Sequence, residues 1–400
     1  MKLLPSLCLF LATSALADPS FVPWSYTEKD LFPSAIIATA TVDWNGDEET
    51  AEDKRTEDDP KPKKKDLPIY GDENGWLAVD LSGITKGSEV IVEISVDGFL
   101  KTAKWKGVIE RTLRGEARVF PKAAWDYEAL LKVRQQRPVN ATFKVTVDDE
   151  ELSEETETCI MRSLNDCPFY VLWDEEGEDF EDFSWLFAAY VNENHPLVDS
   201  ILKEALSSGL VSSFSGYQSG DPDETVMQIF AIWNVLQRRG IKYSDVSTTT
   251  PSKFVVSQTV RFLDQSIANT QANCVDGSVL MASLLRKIGI DSYLVMVPGH
   301  CFLAFKTGNE EDAELVGLET TMLGNNNLKA VKDLPDMPEE LKQKEFKASY
   351  ETFISAISTG NEAIEENSEA FESEEDPDIQ LISISDAREI GITPIASGQN

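Results

Sequence analysis

The side chains best suited to covalent chemistry in this 400-residue chain occur in a fixed order: Cys274, His300 and Glu319. Cys274 lies in Asn273-Cys274-Val275-Asp276-Gly277-Ser278, directly before an apolar stretch at 279–288 that predicts a buried helix. A thiol is a useful nucleophile only as thiolate, and a helix N-terminus with a nearby imidazole is a simple means of obtaining one. The chain holds two histidines, and one of them, His300, stands in Val297-Pro298-Gly299-His300-Cys301-Phe302. The Pro-Gly turn would present its ring at the start of a strand. Glu319 is the one charge in Leu315-Val316-Gly317-Leu318-Glu319, and a carboxylate taken out of water requires a partner. The most economical partner is the His300 imidazole, because the pairing fixes its tautomer and favours the imidazolium. Nucleophile, base and orienting acid together are what acyl transfer needs.

Each of these residues has a plainer reading alone: a packed cysteine, a histidine holding a turn, a glutamate at a strand edge. The order helix-start thiol, hairpin imidazole, strand acid favours the chemical reading. Strand alternation predicts that Cys301 faces away from the helix start if His300 faces it, making Cys301 a core residue. The elements expected to carry the site are the helix after Cys274, a hairpin of strands at 293–297 and 301–305, and a strand at 314–320. Upstream, helices are expected at 183–191, at 196–206 and, most clearly, at 221–239. In the last of these Val226, Ile229, Phe230, Trp233 and Leu236 recur at helical spacing between an Asp221 cap and Gly240.

Earlier in the chain the pattern changes to that of strands, at 35–44, 90–96 and 141–147, with a short helix within 120–133. A charged, Pro-containing run near 45–66 cannot bury itself and is expected to be a disordered insertion. The first seventeen residues read as a signal peptide, with Lys2, an apolar core and Ala15-Leu16-Ala17 before the cleavage point. Export to the periplasm or the extracellular space is therefore expected, with no stable membrane insertion. The formal charge is −34, and loss of residues 1–17, with one base and no acid, makes it more negative by one. Such a surface repels nucleic acid and anionic membranes, which excludes those partners. An acidic face would suit a basic or neutral polypeptide substrate or a protein partner. Cys159 and Cys167 are close enough to close a small disulfide loop in an oxidising compartment, the alternative being two unlinked thiols. No Cys or His cluster has metal-ligand spacing, so neither metal nor organic cofactor is expected.

The wording around the three residues also resembles the transglutaminase-like (papain-related) superfamily, in particular its exported bacterial members. The resemblance rests on the Cys274 motif with its helix, on Val297-Pro298-Gly299-His300-Cys301-Phe302 and on Leu318-Glu319-Thr320-Thr321. It extends more loosely back through 229–234 and 239–243. It implies a Cys–His–acid triad on Cys274, His300 and Glu319, with glutamate where the superfamily usually has aspartate. It further implies an oxyanion role for a glutamine ahead of the cysteine. Gln258, in Val256-Ser257-Gln258-Thr259, matches that position, and Gln271 in a polar loop is the rival. The implied reaction is hydrolysis or transfer at an amide bond, hydrolysis favoured over cross-linking; a catalytically inactive binding module is the alternative. The expected fold is α+β. A signal peptide at 1–17 precedes a β-sandwich-like domain over 18–165, then a transglutaminase-like domain over 166–345 and an acidic, partly disordered tail over 346–400.

Overall fold

Alternation over 90–96, interrupted at Ile91, gives the expected strand. In the strand Glu89–Val96 the side chains of Val90, Val92, Ile94 and Val96 are buried, because period-two patterning puts them on one face. The neighbouring strand Arg137–Val147 buries Val139, Ala141, Phe143, Val145 and Val147, with Val92 opposite Val145 and Ile94 opposite Phe143. Asp148 and Asp149 then turn the chain at φ 50° and 66° into the strand Glu150–Met161. Two consecutive left-handed residues suit a tight hairpin, and aspartate tolerates that region.

The computed structural model describes residues 18–42, 67–173, 179–245, 252–310, 312–325, 344–373 and 378–396. The expected signal segment and the charged run near 45–66 lie outside the described residues. Helices and sheets are mixed throughout, an α+β composition, and the chain divides into two compact units. Among the described residues no helix is long and apolar enough to cross a membrane.

The first unit comprises Met1–Tyr26, Asp47–Trp125 and Val139–Thr158. One of its sheets runs Ser20–Ser25, Leu77–Ser82, Ala117–Phe120, Ile69–Gly71 in spatial order. The other contains the strands just described, with Leu100–Val108 beyond Glu89–Val96. The boundary therefore differs from the expected 18–165, since residues 27–46, 126–138 and 159 onward belong to the second unit. One reason is residues 35–44, expected to be a strand. Their first part lies in the helix Pro33–Ala38, whose six residues are all buried. A continuous apolar run shows no period, so burial on every side hides a helix from the alternation test.

In the second unit a three-stranded sheet sets Asp166–Leu172 between Phe180–Asp182 and Val255–Thr259. A four-stranded sheet has the order Leu315–Leu318, His300–Lys306, Ser292–Val297, Gln380–Ser383, all antiparallel. The helix Cys274–Lys287 packs on its middle strands, and the helices Pro196–Ser207 and Pro222–Arg238 lie beyond. The segment expected to be a helix at 183–191 is a 3-10 helix, Ser184–Tyr190.

The expected acidic tail after 345 is instead part of this unit. Helix Lys344–Glu366 packs along Leu315–Leu318 and buries Phe346, Tyr350, Phe353 and Ala356. Their spacing of four, three and three is helical; the acids that follow obscured it. Gln380–Ser383 completes the sheet beside Ser292–Val297.

Candidate active site

The Cys274 helix begins where its sequence says it should. Asn273 caps it, accepting from the Asp276 N–H at 2.8 Å, while the Asp276 carboxylate accepts from the Asn273 N–H at 3.0 Å. This reciprocal box satisfies two end groups. Cys274 is the first helical residue, where backbone N–H groups lack intrahelical acceptors and the dipole favours an anion. Asp276 is fully buried and also accepts from the N–H and the guanidinium of Arg261, both at 2.7 Å. Burial pushes its carboxyl up against the lowering pull of Asn273 and Arg261. The network ties the end of the Val255–Thr259 strand region to the first turn of the helix.

His300 is the first residue of its strand, opposite Val297 across the Pro-Gly turn, with Gly299 at φ 71°. Its Nε2 lies 2.7 Å from Glu319 Oε2, which leaves Nδ1 as the nitrogen available to Cys274. The ring also stacks on Phe302, 6.2 Å between centroids, and Phe302 belongs to the apolar cluster with Val295 and Ala304. Hydrogen bonding to the Cys274 thiol, then to Glu319, raises the imidazolium to about 10 despite partial burial. The thiol–imidazole contact is looser than the carboxylate pair. It is not among the well-directed hydrogen bonds of the described residues, as is usual for catalytic pairs without substrate.

Glu319 is 8% exposed at its side chain against 35% for His300. Burial works to raise its carboxyl, but the bonds from His300 and Thr321 prevail and hold it below the ordinary carboxylate value. Oε1 accepts from the Thr321 N–H at 3.0 Å and from its hydroxyl at 2.6 Å, leaving Oε2 for the imidazole. The acid's own backbone N–H donates to Ala356 of the long C-terminal helix at 3.0 Å. Upstream on the same strand, Gly317 donates to Asn361 Oδ1 at 2.7 Å, and a Cβ at Gly317 would lie 2.3 Å from the Gly360 backbone.

Helix and turn also meet directly. Ser278 Oγ donates to the Cys274 carbonyl at 2.8 Å and lies 3.2 Å from Thr320 Oγ1. A Cβ at Gly277 would come within 2.8 Å of Thr320 Oγ1, so glycine permits this approach. Thr320, Gly277 and the Arg261–Asp276 pair contribute through contacts across the fold, which spacing does not encode, whereas the Asn273–Asp276 box and the Thr321 bonds to Glu319 span three residues or fewer.

The structure thus brings together Cys274, His300 and Glu319. Gln258 stands half-buried in Val255–Thr259 opposite Cys167, and its side chain makes no hydrogen bond among the described residues. Gln271 is exposed and pairs with Lys242. Cys301 is buried, but on a different side from that expected: the Cys274 charge and the Ser278 side chain both act on it, which places it toward the Cys274 helix. His300 instead leans on Phe302, at the very start of the strand where the turn lets its ring swing toward the helix end.

Cys159 and Cys167 differ from the expected bridge: both are buried and no disulfide joins them. They sit in different sheets, Cys159 beyond the turn from Asp148-Asp149 and Cys167 between its partners Phe180–Asp182 and Val255–Thr259. Closeness in sequence therefore does not make them face each other. Burial, then the Asp166 charge, pushes the Cys167 thiol well up. Among the described residues no cluster of three or more His, Cys, Asp or Glu is placed to hold a metal ion. Comparison with protein-family models, with curated proteins and with solved structures found no match.

Proposed function

We propose that this chain is a thiol-dependent acyl-transfer enzyme of transglutaminase-like type, acting on a carboxamide or peptide bond of a polypeptide. Cys274 Sγ attacks the carbonyl carbon, and the electron pair of the C=O bond moves onto oxygen. Collapse of that adduct expels the amine, which takes a proton from the His300 imidazolium and leaves a thioester on Cys274. Water, deprotonated by His300, then releases the acid and regenerates the thiol. An amine in place of water would make the reaction a cross-link; hydrolysis is favoured on the analogy of exported bacterial proteins with this motif set. In the same reading the second unit is the catalytic domain and the two sheets of the first form a β-sandwich-like domain. No metal or organic cofactor takes part.

One observation carries the reading: a single imidazole joins a buried carboxylate at 2.7 Å and a thiol at the first residue of a helix. A structural histidine has no need of both partners. The test is the rate of iodoacetamide alkylation at Cys274, located by peptide mapping, in the wild type and in His300→Ala at neutral pH. The expected result is a loss of about tenfold or more without His300. Equal rates in the two proteins would leave Cys274 an ordinary cysteine and the domain a binding module.

A further inference from the structure

An acyl-transfer site needs a donor for the oxygen that becomes negative, and the side chain of Gln258, the glutamine implied by the sequence, makes no hydrogen bond among the described residues. Another side chain is better placed. Lys242–Tyr243 pairs in parallel with Gln271–Ala272, so that Tyr243 lies opposite Ala272, two positions before Cys274. The Lys242 N–H donates to the Thr270 carbonyl at 3.1 Å and the Ser244 N–H to the Ala272 carbonyl at 3.0 Å, fixing this register.

The other flank is the turn leaving Glu319. Gly324, at φ 66°, comes so close to this strand that a Cβ there would be 2.6 Å from the Ile241 carbonyl oxygen and 3.0 Å from Lys242 Cγ. Tyr243 therefore stands between the start of the Cys274 helix and the turn that follows the acid. It is 47% exposed, and among the described residues its hydroxyl has no hydrogen-bond partner. A large aromatic left open and uncommitted beside a nucleophile is available to substrate.

We propose that the Tyr243 phenol donates its hydrogen to the carbonyl oxygen of the acyl group as Cys274 attacks, beside the backbone N–H groups of the helix start. The inference rests on the acyl-transfer reading and adds a residue to it. As the carbon–sulfur bond forms, the carbonyl pair settles on oxygen and accepts the phenolic hydrogen bond. When the leaving group departs, the double bond re-forms and the hydrogen bond weakens, the proton staying on the phenol throughout. Burial, then the charges of Asp245, Cys274 and Glu319, pushes this phenol up, so it remains a neutral donor. Donors aimed where charge develops are the larger part of such catalysis.

Two reagents separate this role from mere placement. p-Nitrophenyl acetate acylates a thiol through a tetrahedral oxyanion, whereas iodoacetamide alkylates it by displacement and forms none. Both are followed by mass at Cys274 in the full chain, with Cys274→Ala as the blank. Tyr243→Phe keeps the ring and is expected to slow acylation about tenfold or more while leaving alkylation within about twofold, a margin for small indirect effects. Acylation at the wild-type rate in Tyr243→Phe overturns the inference alone, as does an equal loss with both reagents, which marks a positional effect. A wild-type Cys274 that reacts with neither reagent overturns the acyl-transfer reading and this inference together.

Discussion

Glu319 gives one carboxylate oxygen to His300 and the other to Thr321. Oε2 meets the imidazole at 2.7 Å, while Oε1 is held by the Thr321 N–H and hydroxyl. The acid is thus oriented by the very next turn of its own chain before it orients the base. Glu319→Gln preserves size and removes the charge that favours imidazolium. It is expected to lower Cys274 acylation by p-nitrophenyl acetate by about 10²-fold or more, with a normal circular dichroism spectrum. Thr321→Ala, which keeps the backbone donor and loses one hydroxyl, should cost far less. If the two variants match each other, or if Glu319→Gln matches wild type, the orienting role is misassigned.

The same pair makes stability depend on pH in two windows. The Cys274 thiol, then Glu319, raises His300 from its ordinary 6.5 to about 10. Because the folded value exceeds the unfolded one, the contribution is complete below about 6.5 and disappears as pH rises through about 10. Glu319 acts oppositely: burial opposes ionisation, but His300 and Thr321 lower it from its ordinary 4.5. Its contribution is present above that value and is lost as pH falls through the depressed folded value. Urea midpoints measured from neutral to about pH 10 should decline in the wild type and decline less in His300→Gln. Parallel curves for the two proteins would show that His300 is not the alkaline group.

Gly317 predicts a large local effect from one methyl group. A Cβ there would lie 2.3 Å from a backbone carbon of Gly360 and 2.5 Å from its carbonyl oxygen, and neither can rotate away. Gly317→Ala is expected to cost about 1–3 kcal/mol or more of stability. It should also lower the reactivity of Cys274, since Glu319 lies two residues on. Chemical denaturation and the acylation rate report the two effects, and an unchanged midpoint would mean that the long helix does not press on this strand.

For the other cysteines, iodoacetamide added to the unfolded, unreduced protein should label both Cys159 and Cys167. Labelling only after treatment with a reductant would show that the two are bridged in the oxidised protein.

The three central residues were legible because each owes its place to local signals. Asn273 and Asp276 mark a helix start, Pro298-Gly299 marks a hairpin, and Glu319 ends an apolar strand. The alternation at 89–96 and the Asp221 cap with Pro222 were likewise local and visible. What was hidden depends on partners distant in sequence. The Pro33–Ala38 helix is buried all round and shows no period; the orientation of Cys301 depends on where a turn releases His300. The role of Tyr243 emerges only when a two-residue strand pairs beside the cysteine. The helix after 344 carried its apolar stripe openly, but the acidic stretch behind it suggested a chain that could not fold.

That helix sets a schedule. The Glu319 N–H is seated on Ala356, and Gly317 is closed against Gly360 and Asn361. As the chain is synthesised, the thiol and the imidazole therefore emerge before the segment that seats their acid. Chains ending before residue 344 are expected to carry a Cys274 no faster toward p-nitrophenyl acetate than the His300→Ala variant; full reactivity in such a chain would contradict this. Fully aligned chemistry is thus withheld from the nascent polypeptide until the later helix has emerged and docked.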